Sequence, residues 1–173
     1  MKQMLKLSFT LLIISAVVAG TLAGVNAITK PLIDKINWEK TQQAVEEVLP
    51  GGGEQLEITP TGDIQAVYAA ETGYAVQVAP AGFNGSIQMM VGVDKAGNVL
   101  GVSVISQSET AGLGAVVAAK TEAGEAFRKQ YSETEAPYTV GKNIDGLTGA
   151  TITSKAVTDG VNQAVNYVRE VLK

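Results

Sequence analysis

From Leu7 to Ile28 the chain runs 22 residues without a charged side chain. As a helix rising about 1.5 Å per residue, this stretch is roughly 33 Å long and matches a hydrocarbon core of about 30 Å. A membrane-spanning helix is predicted there, behind Lys2 and Lys6. A cleaved signal peptide is the competing reading, because Val25-Asn26-Ala27 has the small-x-small form of a cleavage site. Signal-peptide cores usually run about 7–15 residues, so the length favours a retained anchor. Lys30, Lys35 and Lys40 follow soon after the span, so the count of basic residues does not orient it. A short basic tail before a first apolar segment favours export of the rest.

Apolar spacing then changes. Pro31 to Leu49 reads as an amphipathic helix with Pro31 in its first turn, and Pro50-Gly51-Gly52-Gly53 stops it. Trp38 sits at the membrane interface or packs on the domain, with packing favoured. Short strands follow. Ile64 to Tyr68 is one, and Tyr74, Val76 and Val78 alternate along a second. Ile87 to Val93 and Val99 to Ile105 form the clearest pair, joined by the hairpin loop 94–98. A helix is expected around Gly124 to Tyr131, and a short strand over Tyr138 to Ile144. Ser154 to Leu172 closes the chain as a strong helix, with Val157, Val161, Ala164, Val165, Val168 and Leu172 on one face. The fold class is α+β: an antiparallel sheet with helices packed on it, preceded by one transmembrane helix. Residues 1–28 are read as cytoplasmic tail and anchor, 29–53 as a helical stalk or linker, and 54–173 as the folded domain.

Composition narrows the chemistry. The chain has no cysteine and no histidine. Disulfides, thiolate nucleophiles, iron–sulfur ligation, cysteine- or histidine-based zinc sites and histidine-based triads are therefore excluded within it. The net charge is −4, and the residues after the span are more acidic still. That balance argues against nucleic acid as a partner. Between Leu7 and Ile28 there is no ionisable side chain, so the span reads as a tether with lipid around it, not as an ion path.

The most restrictive stretch is Asp145-Gly146-Leu147-Thr148-Gly149-Ala150-Thr151, just ahead of the terminal helix. A capped helix start would explain a glycine and a few hydroxyls, with Thr153 or Ser154 as the cap. It would not explain the whole pattern. Thr151 offers an accessible hydroxyl beside small neighbours, where free helix N–H groups and the helix dipole stabilise a phosphate. Upstream lies Ser108-Glu109-Thr110-Ala111-Gly112-Leu113-Gly114, and before it the glycine-rich Gly82-Phe83-Asn84-Gly85-Ser86-Ile87.

These three stretches resemble, in order, those of the FMN-binding domain found in two membrane complexes. One is the Rnf electron-transport complex, in its G-type subunit; the other is the Na⁺-pumping NADH:quinone reductase, in its C-type subunit. The seven-residue run fits the pattern Asp-Gly-x-Ser/Thr-Gly-Ala-Thr throughout. The upstream loop is similar to Ser-Glu-Thr-Pro-Gly-Leu-Gly, with Ala111 in place of proline. The resemblance implies that a flavin transferase takes FMN from FAD and esterifies it to Thr151, with Asp145 and Gly146 serving recognition. It implies cofactor contacts from Glu109, Thr110, Gly112, Leu113, Gly114, Thr148, Gly149, Ala150 and Thr153. Glu109 and Thr110 would hydrogen-bond polar flavin edges, and Gly112 and Gly114 would let backbone approach the ring.

The leading reading is thus a membrane-anchored flavoprotein electron carrier, its flavin domain extracytoplasmic. Its complex would join it to other membrane, iron–sulfur and flavin subunits and move electrons between ferredoxin and NAD, coupled to Na⁺ or H⁺. The quinone-reductase relative and a stand-alone extracytoplasmic FMN-dependent reductase are the alternatives. The redox chemistry belongs to FMN. No side chain is assigned a catalytic role and no metal is assigned.

Overall fold

The computed structural model describes residues 2–172; Met1 and Lys173, the outer ends of the tail and of the domain, lie outside the described residues. The chain divides into two units, Met1–Glu39 and Lys40–Lys173. Helix α1 is Lys2–Val48. The stalk helix expected from Pro31 onward is continuous with the apolar span, and the helix runs through that proline. A proline within a helix costs one backbone hydrogen bond, but the residues on either side are uniformly helix-compatible, and the glycine run comes only after Leu49.

Among the described side chains of the first unit the apolar ones are exposed, including Leu11, Leu22 and Ile28. Among the described residues α1 is the one helix long and apolar enough to cross a membrane. Thr10, Thr21 and Thr29 donate their hydroxyls to the carbonyls of Lys6, Val17 and Val25, at 2.8–2.9 Å. Such bonds satisfy a hydroxyl where no water can. Trp38 is 64% exposed.

The second unit is built on a five-stranded sheet. Its strands are β1 (Glu54–Leu56), β2 (Ile64–Ala70), β3 (Gly73–Val78), β4 (Gln88–Asp94) and β5 (Val99–Ser106). They lie in sequence order, each antiparallel to the next. The β4–β5 turn is closed by Asp94, whose two carboxylate oxygens accept from the backbone and side-chain amides of Asn98 at 2.8 and 2.9 Å. Slight burial works to raise the Asp94 pKa, but bonds from Asn98, Ala96 and Gly97 outweigh it and hold the carboxyl below its ordinary value.

A 3₁₀ turn (Gly114–Ala118), helix α2 (Glu122–Glu133) and helix α3 (Thr151–Val171) follow. Thr121 caps α2 by accepting from Gly124 N–H. One face of the sheet carries Val67, Val76, Met89, Val91 and Val93 against Phe127 and Tyr131 of α2 and Val157, Val161, Ala164 and Val168 of α3. The other face carries Ala66, Tyr68, Ala75 and Met90 against Ala44, Val45, Val48 and Leu49. The sheet is therefore covered on both sides. That is why β4 reads as a continuous apolar run without alternation, its five central residues all buried.

The strand expected over Tyr138 to Ile144 does not form. Gly141 adopts a φ of 82° there, and the Thr139 carbonyl collects the N–H groups of Lys142, Asn143 and Ile144. Asn143 ties the loop further by bonding Thr139 N–H and the Pro137 carbonyl. Only a single parallel bridge, Val140 to Ile144, remains.

Packing is especially close at Gly92 of β4, where an added Cβ would collide with the Val48 carbonyl oxygen. Gly92→Ala should destabilise the domain by about 1–3 kcal/mol, the usual cost of overpacking a dense core. Thermal or urea unfolding of the variant checks this; an unchanged midpoint would mean that the helix end does not bear on the sheet at Gly92.

Candidate functional site

The first residue of α3 is Thr151, so the helix begins three residues earlier than its apolar period indicates. Neither expected cap serves it. Ser154 donates its hydroxyl to the Ala150 carbonyl and accepts from Leu147 N–H, both at 2.9 Å. Thr153 turns inward and donates to Glu109 Oε2 at 2.5 Å. No side chain caps the helix. The N–H groups of its first turn, Thr151 to Thr153, lie ahead of the first intrahelical acceptor, since Ser154 N–H is the first to reach Ala150. A helix end of this kind favours an anion.

Two turns flank this end. In the first, Leu113 N–H reaches the Thr110 carbonyl at 3.1 Å, and Gly112 has φ 76°. In the second, Ala150 N–H reaches the Leu147 carbonyl at 3.0 Å, and Gly149 has φ 75°. A positive φ at the third position of a hydrogen-bonded four-residue turn is the type II signature, and it explains both glycines. The turns meet: a Cβ on Gly149 would lie 3.1 Å from Leu113 Cδ2.

Between them lies a cavity of about 390 Å³, lined by Phe83, Glu109, Thr110, Leu113, Gly114 and residues 149–153. Its rim is apolar. Phe83, Leu113 and Ile152 are 64%, 44% and 54% exposed, unlike the buried Val and Met side chains of the sheet core. Its floor is Glu109, buried to 8% exposure. One Glu109 oxygen accepts from Asn84 N–H at 2.9 Å and the other from Thr153. Asn84 Nδ2 also reaches Thr110 Oγ1 at 3.2 Å. Gly114 is where no side chain fits, because a Cβ would lie 2.6 Å from Thr153 Oγ1 and 2.8 Å from Glu109 Oε2.

Most of the expected site residues are thereby brought to one place. Glu109, Thr110, Leu113, Gly114, Gly149, Ala150, Thr151 and Thr153 line the cavity, and Gly112 shapes its first turn. Thr148 lies in the second turn, exposed. Asp145 and Gly146 lie outside the lining, on the exposed approach to that turn. Phe83 and Asn84 join the site although no sequence signal assigned either of them a cofactor contact. Their signal was the glycine-rich stretch itself, in which a phenylalanine stands exposed.

Beneath the second turn lies an aromatic stack. Tyr131 meets Phe127 and Tyr138 edge-to-face, with ring centroids 5.7 and 5.2 Å apart. Tyr131 and Thr158 share a hydrogen bond of 2.8 Å, Thr158 donates to the Ser154 carbonyl, and Tyr138 donates to the Tyr131 carbonyl. Burial pushes both phenol pKa values up, and for Tyr138 the positive charge of Arg169 opposes the push. Both phenols stay protonated and act as fixed donors.

Apolar walls, glycines at two points of the lining and an open helix N-terminus suit a planar ring with an anionic tail. Residues 82–166 match the FMN-binding domain family. The G-type subunit of the Na⁺-translocating ferredoxin:NAD⁺ oxidoreductase complex of Acetobacterium woodii is 30% identical, over 99% of this chain and 95% of that protein. The chain belongs to this family of G-type subunits. Its counterpart in the ion-translocating oxidoreductase complex of Methanosarcina acetivorans is 29% identical, over 96% of this chain and 95% of that protein. The counterpart in the proton-translocating ferredoxin:NAD⁺ oxidoreductase complex of Clostridium ljungdahlii is 41% identical over 58% of each. In this G-type chain the FMN-binding match runs from the loop bearing Phe83 well into α3, and so contains the whole cavity lining.

Ala111 occupies the second position of the first type II turn, where proline is favoured. Ala111→Pro should stabilise the domain by about 0.4–1 kcal/mol by restricting the unfolded chain. A higher unfolding midpoint checks this; a lower one would show that the turn does not have a proline-compatible backbone.

Proposed function

We propose that this chain is a membrane-anchored electron carrier that holds FMN covalently, through a phosphodiester to Thr151, within an ion-translocating ferredoxin:NAD⁺ oxidoreductase complex. The observation that carries the proposal is the placement of Thr151: exposed, first in α3, and on the lining of a cavity with apolar walls. The FMN-binding family match and the names of the relatives support the cofactor and the complex.

Bound FMN would supply the redox chemistry. The residues of this chain have other tasks. Phe83, Leu113 and Ile152 would shield the ring from water. The free N–H groups of α3 would hold the phosphate charge next to the ester. Gly112, Gly114 and Gly149 would let backbone and ring approach. Glu109 has both carboxylate oxygens engaged inside the protein, so its part is to set the cavity floor, with Thr110 beside it offering the exposed hydroxyl. During maturation a flavin transferase would approach over Asp145 and Gly146. No residue need act as a general acid or base, which fits a chain without histidine or cysteine.

The span of α1 would fix the domain to the cell membrane in contact with lipid, with the flavin domain on the extracytoplasmic side. The short basic segment before the span supports that orientation. Other membrane, iron–sulfur and flavin subunits would be its partners.

Expressed with its flavin transferase, the wild type should gain the mass of FMN less water and fluoresce on a denaturing gel. Thr151→Ala should do neither while melting as a folded protein; covalent flavin in that variant would overturn the assignment. Intact mass should show residues 1–28 retained, and protease added to sealed spheroplasts should digest the domain. Protection until lysis would place it on the cytoplasmic side.

A further inference from the structure

Asp145 is exposed, but its backbone is held from another element. Gln130, in the last turn of α2, accepts from Asp145 N–H through Oε1 at 2.7 Å and donates from Nε2 to the Asp145 carbonyl at 3.2 Å. The orientation of the side-chain amide is settled by its partners, because an N–H can meet only the oxygen and a carbonyl only the nitrogen. Both peptide groups flanking the Asp145 Cα are thus gripped by one side chain. With the two peptide planes fixed, φ and ψ of Asp145 are fixed, and so is the direction of its Cα–Cβ bond. The result is a carboxylate aimed outward from a rigid base.

This grip is separate from the packing of the core. The core contacts of α2 are made by Phe127 and Tyr131, and Gln130 lies only half-buried at their margin. The following turn has a tie of its own, since Ser154 pins it through Leu147 N–H and the Ala150 carbonyl. What Gln130 adds is the orientation of one acidic side chain, six residues ahead of Thr151.

We infer that Gln130 is a positioning residue for the modification of Thr151: it presents the Asp145 carboxylate as a preformed handle to the enzyme that delivers the flavin phosphate. This rests on the proposed attachment at Thr151. In that step the Thr151 Oγ–P bond forms at the flavin-side phosphorus of FAD, the pyrophosphate P–O bond breaks, and AMP leaves. The hydroxyl proton passes to the transferase or to solvent, and no electron changes hands. A preformed handle lowers the ordering cost of the encounter. Its loss should therefore appear in recognition, not in the bond-making step.

The test is steady-state flavinylation of the purified full chain by purified flavin transferase with FAD. Gln130→Ala should raise the KM for the acceptor protein about fivefold with kcat nearly unchanged, the scale of one or two lost hydrogen bonds. Gln130→Glu keeps the acceptor for Asp145 N–H and loses the donor to its carbonyl, so its KM should lie between the two; it also carries the test should the alanine variant fold poorly. Asp145→Asn should raise KM as well, and adding Gln130→Ala to it should raise KM little further. An unchanged KM in both Gln130 variants, or fully additive effects with Asp145→Asn, would overturn the inference while leaving the Thr151 assignment intact. A wild type that takes up no flavin at Thr151 would instead remove the reading on which the inference rests.

Discussion

Glu109 brings a carboxylate into a buried position, and among the described residues no ion pair reaches it. What holds it is a set of hydrogen bonds from separate parts of the chain. Asn84 N–H comes from the loop before β4 and the Thr153 hydroxyl from the first turn of α3, while Gln107 Oε1, two residues away, accepts the backbone N–H of Glu109 and ties its main chain. Hydrogen bonds to a charged group contribute about 1.5–3 kcal/mol each, and a buried charge stripped of them costs more than that. The three segments are therefore obliged to meet at this point. Once they meet, the cavity has its floor, the glycine-rich loop its place on the rim, and α3 its starting residue. The site is a consequence of satisfying one buried carboxylate.

The same contact explains the fate of the hydroxyls around Thr151. Thr153 is spent on Glu109, Ser154 on its own preceding turn, and Thr158 on Tyr131. Each of these threonine and serine side chains is buried and has a fixed partner. Thr151 differs from them by exposure. Within these four hydroxyls of α3 burial leaves Thr151 as the accessible one, and its place as the first helical residue separates it from the exposed Thr110 and Thr148 of the flanking turns. The two type II turns sharpen this geometry, since each uses a glycine at positive φ and Leu113 of one packs over Gly149 of the other.

How far the sequence reveals this depends on whether a feature is local. The β4–β5 hairpin, the apolar face of α3 and the span Leu7 to Ile28 are set by periodicity and were legible with their approximate limits. The start of α3 was not. Its period begins with the buried Thr153 and Ser154, whereas Thr151 and Ile152 complete the first turn without facing the core. The stretch Tyr138 to Ile144 was misread as a strand because its apolar residues alternate, while Gly141 and Asn143 instead build a turn around the Thr139 carbonyl. Short β1 escaped for the opposite reason: it contradicts local propensity and is decided by its pairing with β2. Glu109 and Thr153 were both expected near the cofactor, but the hydrogen bonds that Asn84 and Thr153 give to Glu109 were not, since Asn84 lies 25 residues before it and Thr153 44 residues after it.

Some relatives of this chain are named for Na⁺ translocation and others for proton translocation. An element that chose between the ions would need ionisable or coordinating groups along a membrane path. Leu7 to Ile28 has no ionisable side chain, and the threonine hydroxyls at positions 10, 21 and 29 are turned back onto the helix's own carbonyls. These threonines thereby spend their hydroxyl protons within the helix. The chain's specialisation is instead concentrated around one exposed threonine far along the sequence from the span, where small residues, apolar rim and free helix amides converge. Anchoring and cofactor-holding are thus separated along the sequence, and each segment is simplified by the other's existence.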